Sequence, residues 1–201
     1  MKSPLPQRRM PAEDRREQIL DIVHAVVDRE GFHAATLNRI AMEAGVTRTV
    51  VYQQFGDLAG VFVALIDRER ERALAQFAEA VVAGGGPTEA EGPFGRTFAG
   101  VLRAIDTYPS TWRLFLEPPE GAPPELHQRL AEAQARVDEY LERALSAIVP
   151  DFPDVALTAR VLRAGGTELL RLHLEDPDAG SRERMLALVR RLTLALVRPP
   201  R

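Results

Sequence analysis

"GVTRTVVYQQF", Gly45–Phe55, is the stretch on which the reading of the whole chain turns. It holds a glycine turn, a threonine suited to capping a helix, and then a short helix whose polar positions are Arg48, Thr49, Gln53 and Gln54. Just upstream, Thr36 is placed to cap a helix that carries Leu37, Ile40, Ala41 and Ala44 on one side and ends at Gly45. Val46, before the Thr47 cap, and Val51, inside the next helix, are spaced for a hydrophobic staple, which sets the angle at which the chain enters that helix. Two short helices therefore meet across a rigid corner, Gly45 to Thr47, with small Ala41 where they cross.

A capped helix after a tight glycine turn has the geometry of a helix-turn-helix, in which the second helix enters the major groove and its first turns meet base edges. The outward residues suit that use. Arg48 can fork onto guanine, Gln53 and Gln54 onto adenine, and Thr49 can meet a base or a thymine methyl; an arginine–guanine pair contributes roughly 1–3 kcal/mol of discrimination. Thr36, Thr47 and Tyr52 can donate to phosphates, which positions the helix without reading sequence. The competing reading is a solvated face of an ordinary helical domain, because charged and amide side chains are what exposed helices carry.

Outward from this corner the apolar spacing is helical almost throughout, and the fold class predicted is all-α. A first helix is expected over Glu13–Glu30, with Gly31 as a left-handed C-terminal cap. A fourth, capped by Asp57, is expected to reach about Ala83, before the break "GGGP" at Gly84–Pro87. The second helical region holds a helix presenting Phe94, Phe98, Val101, Leu102 and Ile105. A short one follows after Tyr108-Pro109, then a long amphipathic one carrying Leu126 to Ile148, and two last helices at about Asp154–Glu175 and Ser181–Val197. The domains expected are a basic arm over 1–12, a three-helix DNA-binding domain over 13–60, and a ligand-binding and dimerisation domain over 61–201, with the fourth helix joining the two.

Composition narrows the function. The 201 residues suffice for a proper core, and the absence of cysteine excludes disulfides, thiol chemistry and cysteine-based zinc sites. No apolar run approaches the roughly 20 residues that span a bilayer, and the start lacks a secretory signal, so a soluble cytoplasmic protein without membrane partners is expected. The net charge of -3 argues against a protein that coats nucleic acid generally. Its distribution is uneven, since Lys2, Arg8, Arg9, Arg15 and Arg16 make the start locally positive while the region after Val61 is mildly acidic. An enzyme is not expected. His24, His33, His127 and His173 occur singly, "GGGPTEAEG" lacks the lysine of a phosphate-binding loop, and no serine lies in a nucleophile elbow; no cofactor or metal is expected either.

Residues Arg15–Asp67 resemble the N-terminal domain of the tetracycline-repressor (TetR-like) family of bacterial transcription regulators. The resemblance rests on the helix ending at Gly31 and Phe32, the Thr36 cap, the "IAMEAGVT" corner, and Tyr52 and Phe55 before Gly56. It implies a homodimer that binds double-stranded operator DNA, with a C-terminal domain whose small-molecule effector alters DNA affinity. Thr36, Thr47, Tyr52 and Gln54 match positions that usually meet phosphates, and Arg48, Thr49 and Gln53 match base-reading positions. The chain departs from the family pattern in two places. Gln54 stands where His or Tyr is usual, and Leu58 stands where a lysine is usual; loss of that lysine removes one phosphate contact and should lower the salt slope by about one unit. Leu58 is also the support for an alternative, a TetR-like module that binds a ligand or protein with weakened or lost DNA binding.

In the second region, Phe94, Phe98, Leu102, Tyr108, Trp112, Phe115 and Leu141 are candidates to line a ligand cavity, with His127, Arg163, Glu168 or His173 as polar contacts. Each aromatic taken singly could equally fill the core. The last two helices carry apolar residues on more faces than one core needs. A dimer contact through Leu157, Val161, Ala164, Gly165, Leu172, Leu188 and Leu192 accounts for the surplus; a central helix buried in its own subunit is the other account.

Overall fold

The computed structural model describes residues 10–84, 94–176, 178 and 181–197, and no strand occurs among them. Its helices are α1 (Ala12–Glu30), α2 (Leu37–Glu43), α3 (Arg48–Phe55), α4 (Leu58–Gly84), α5 (Gly95–Thr107), α6 (Pro109–Leu116), α7 (Pro124–Ile148), α8 (Val155–Glu175) and α9 (Arg182–Val197), with one 3₁₀ turn at Phe32–Ala34. The all-α class read from the apolar spacing is the class found. No single helix among the described residues is long and apolar enough to cross a membrane. Lys2, Arg8 and Arg9 of the expected arm, and the glycine-proline break beyond Gly84, lie outside the described residues.

The chain divides into two compact units, and the first comprises the residues up to Leu65 together with Pro119–Pro123. The division falls inside α4 rather than at residue 60. Val61 and Leu65 are completely buried, and the Phe62 ring meets Phe32 edge-on at 5.0 Å, so the first turns of α4 belong to this unit's core. Ile19, Val23, Val26 and Val27 of α1, Ile40 of α2 and Val51 of α3 complete that core with no exposed surface. Gly31 has positive φ (85°) as expected of a cap, but its ψ of 171° takes it out of the left-handed helical region. The reason lies far along the chain: the Phe32 N–H donates to the Glu120 carbonyl at 2.9 Å, and a side chain on Gly31 would meet that same oxygen at 2.9 Å.

On the surface of this unit, Arg39 forks onto Glu30 at 2.7 Å through both terminal nitrogens and holds Glu43 at 2.8 Å, joining the end of α1 to α2. The hydrogen bonds from Arg39, then from Arg29, pull the Glu30 carboxyl from its ordinary 4.5 down to about 2. A carboxyl whose folded value is depressed stabilises fully above its unfolded value and loses that contribution as acid protonates it. The first unit should therefore lose stability between pH 4.5 and about 2, and Glu30→Gln should flatten that limb in acid titrations followed by circular dichroism. The pair is fully solvated, so about 1 M salt should flatten it as well.

The second unit comprises Ile66–Pro118 and Pro124–Arg201. One buried cluster gathers Ala80, Val101, Leu102, Ile105, Leu170 and Met185; another gathers Phe94, Leu141, Leu145 and Ala159. α4 and α5 come close enough at Gly100 that a Cβ there would lie 2.7 Å from the Ala80 methyl, so glycine is what permits the approach. Glu69 is completely buried: Thr111 Oγ1 donates to its Oε2 at 2.5 Å, and Arg72 Nη1 to its Oε1 at 3.0 Å.

Candidate nucleic-acid interface and ligand cavity

The corner between α2 and α3 is built as the local sequence dictates. The Thr36 hydroxyl oxygen accepts from the Arg39 N–H at 3.3 Å and caps α2. The Val46 N–H donates to the Ala41 carbonyl at 2.9 Å, and Gly45 takes a positive φ of 61°. Ile40 and Val51 have no exposed surface, and Val46 is half-buried. Thr47 occupies the cap position of α3 with extended backbone, but its side chain makes no capping bond. That corrects the expected role: the apolar packing of Val51 and the backbone fix this helix start, and the Thr47 hydroxyl is left to the solvent side.

α3 then presents Arg48, Thr49, Tyr52 and Gln53 to solvent, at the i, i+1, i+4 and i+5 spacing that places them on one helix face. Gln54 is half-buried. The other four arginines described in this unit bond within it. Arg15 donates to Gln18, Arg29 and Arg39 to carboxylates, and Arg16 to the Gln54 carbonyl at 2.6 Å while lying 4.4 Å from the centre of the Phe55 ring. Arg15 and Arg16 lie in α1, inside the span expected for the first helix, and Arg16 secures the C-terminal end of α3. Arg48 makes no hydrogen bond or ion pair; its guanidinium lies 6.0 Å from the centre of the exposed Tyr52 ring. Asp57 accepts from the Gly60 N–H at 2.7 Å and caps α4, leaving Leu58, half-buried, in its first turn.

The second unit holds a partly open cavity of about 210 Å³ between α4, α5, α6, α7 and α8. A single water needs only about 10–15 Å³, so this is ligand-sized space rather than a packing defect. Of the candidates, Phe94, Phe98, Trp112, Phe115, Leu141 and Arg163 line it. Five other candidates do not. Leu102 is completely buried in the core cluster behind the wall; Tyr108 is half exposed, because it closes α5 immediately before Pro109; and His173 Nε2 lies 2.7 Å from Asp106, tying α8 to α5 away from the cavity. His127 and Glu168 are exposed and line nothing. Residues missed are Phe77 and Tyr140, whose rings meet edge-on at 5.6 Å, and Arg70, hidden in the charged run "DRERER". Among the described residues no group of three or more His, Asp or Glu could hold a metal ion.

On α8, Leu157 and Val161 are each 63% exposed, Ala164 and Gly165 lie open beside them, and on α9 Leu192 is 53% exposed. Leu172 differs from the others, since it packs in part against its own unit's core. Leu188 and Leu172 share a shallow groove with Leu169 and Met185.

Residues 19–65, which contain this corner, match the model of the bacterial regulatory proteins of the tetR family. Residues 19–65 thus form a DNA-binding domain of the TetR type. A TetR-type relative, the HTH-type transcriptional activator FasR of Mycolicibacterium smegmatis, is 37% identical over 60 residues, which are 30% of this chain and 27% of that protein. Among solved structures, a TetR-like transcriptional regulator from Rhodococcus sp. RHA1 is similar with a TM-score of 0.74, 22% identity, and 93% and 99% of the two chains covered. A tetR-family regulator from Streptomyces coelicolor gives 0.69, 18% identity, and 93% and 82%. The family match thus rests on the N-terminal domain, and the TetR-like structures extend the likeness of fold to the second unit. The matched family is described as one of bacterial regulatory proteins.

Proposed function

We propose that this protein is a TetR-family, cytoplasmic, homodimeric transcription regulator that grips operator DNA through α3 and responds to a small molecule held in the second unit's cavity. The observation that carries the DNA reading is Arg48: an exposed arginine with no hydrogen-bonding or ionic partner, in the first turn of a helix set by a rigid corner. Arg48, Thr49 and Gln53 read bases, while Thr36, Thr47, Tyr52 and Gln54 hold phosphates. The hydroxyl of Thr36 accepts its capping bond and keeps its proton for a phosphate oxygen. Selection of bound DNA from a random pool tests the reading. A palindrome with half-sites about one helical turn apart is expected, whereas no enrichment in moderate salt would favour a module that has lost DNA binding at Leu58.

The exposed face of Leu157, Val161, Ala164, Gly165 and Leu192 supports dimerisation through α8 and α9. Because a two-fold contact uses each residue twice, Val161→Glu should raise the dimer dissociation constant about 100-fold or more. The fold should be left within about 0.5 kcal/mol, as for other surface changes. Sedimentation velocity checks the first effect and urea unfolding the second.

The reading favoured is a repressor released by its effector; the name of the 37%-identical relative, a transcriptional activator, supports the second reading, in which bound protein recruits transcription. A ligand can release DNA only by binding better to the state whose recognition helices are misplaced. α4 is the proposed lever, as it supplies Val61 and Leu65 to one core and Leu74 and Phe77 to the cavity wall. Unchanged separation of the two α3 helices in free and ligand-bound crystals of the dimer would count against it.

A further inference from the structure

Taking α3 as the reading helix, as proposed above, its two ends also state what keeps it in shape. α3 has eight residues and a single buried side chain, Val51. Free helices shorter than about 12–15 residues are marginal in water, so a helix of this length depends on what holds its ends. The first end is set by the corner, where the Val46 N–H donates to the Ala41 carbonyl. The second end carries the reading residue Gln53, and there the helix runs out of donors of its own. The Gly56 N–H donates to the Tyr52 carbonyl at 2.8 Å and closes the ladder. The carbonyls from Gln53 onward are left to partners outside the helix.

Arg16 supplies one of them. It stands 38 positions earlier, near the start of α1, and its Nη1 donates to the Gln54 carbonyl at 2.6 Å. Its guanidinium carbon lies 4.4 Å from the centre of the Phe55 ring, within cation–π range. One side chain thus engages two successive residues of the last turn. It also sets a positive charge at a helix C-terminus, where the macrodipole favours it. The brace has a firm footing. Arg16, Ile19, Leu20 and Val23 follow the three-and-four spacing of one face of α1, and the three apolar members are buried. An arginine that continues a core stripe is aimed at a neighbouring helix, although by sequence it belongs to the positive start of the chain.

We propose that Arg16 is a positioning residue for base reading: it keeps the last turn of α3 helical, so that Gln53 shares a face with Arg48, and it makes no contact with DNA phosphate.

Two substitutions in the full chain separate this role from a phosphate contact. Arg16→Met keeps an apolar stem and removes the guanidinium. Its affinity for the fragment selected from the random pool should fall about tenfold or more, as for the loss of a charged hydrogen-bond donor. Base preference should relax at the position read by Gln53 and persist at the one read by Arg48. The slope of log affinity against log salt should stay as it is, whereas losing one phosphate contact per protomer would lower it by about two units in a dimer. In the protein without DNA, amide exchange over Gln54–Gly56 should quicken about tenfold, as a fraying turn requires. Arg16→Gln, which also removes the charge, takes the same measurements if Arg16→Met fails to fold. Unchanged affinity, a slope lower by about two units with exchange unaltered, or equal relaxation at both read positions would overturn the proposal while leaving the DNA reading intact. No enrichment of any sequence by the unaltered protein would instead remove the DNA reading and this role with it, and amide exchange would still show whether Arg16 holds the turn.

Discussion

Arg48→Ala should abolish specific retention of the selected DNA fragment while leaving the protein folded. The side chain is exposed and bonded to nothing, so its removal should change stability by no more than about 0.5 kcal/mol. Each forked arginine–guanine contact is worth roughly 1–3 kcal/mol, and a symmetric dimer would lose two of them, or about 2–6 kcal/mol in all. A mobility-shift titration should show specific affinity falling by about 30-fold at the least. Non-specific affinity should fall far less, and base preference should relax at one position in each half-site. A salt slope that dropped as much as the affinity would instead assign Arg48 to a phosphate and leave base reading to Thr49 and Gln53.

The second large effect belongs to Glu69. Glu69→Ala should cost the second unit about 3–5 kcal/mol, the range for removing one partner of a buried ion pair. The carboxylate has no exposed surface, and its Oε1 lies 2.8 Å from Arg68 Nη2, a side chain only 10% exposed. Without the carboxylate, the Arg68 guanidinium would face a cavity and the Thr111 hydroxyl would lose its acceptor. Thr111→Val should cost less, about 1–3 kcal/mol, because Arg68 and Arg72 still neutralise Glu69. Urea unfolding followed at Trp112 reads this unit directly. A loss under about 1 kcal/mol for Glu69→Ala would mean that solvent replaces the carboxylate at little cost.

What was legible in the sequence was local. Thr36 is recognisable because a cap is fixed by spacing of a few residues, and its hydroxyl oxygen does accept from the Arg39 N–H; Val51, apolar at an inward position of α3, has no exposed surface. The faces of α5 and α6 were legible from period, hence Phe98, Trp112 and Phe115 on the cavity wall. The cavity's remaining wall was not, because it depends on which faces of distant helices meet. Phe77 and Tyr140 are brought together only by tertiary packing. Leu102 and Phe98 occupy one amphipathic helix, yet one packs behind the wall and the other on it, a difference of depth that apolar pattern does not encode. Tyr108 is aromatic yet half exposed, because its backbone already leaves the helix, and aromatic character alone does not encode inward direction. Thr47 misled in another way: a residue type suited to capping reached the cap position without making the bond.

The bond from the Phe32 N–H to the Glu120 carbonyl has a practical consequence for dissecting the molecule. The first unit is not a continuous length of chain, and no single cut can liberate it. A fragment ending in α4 would keep every residue of the α2–α3 corner yet expose the Phe32 amide that Glu120 now satisfies, together with the Phe32 surface that Gly121 now approaches. Such a fragment should expose its α1–α2 connection to hydrogen exchange faster than the full chain does. DNA affinities measured on it would describe a reader missing one of its own struts.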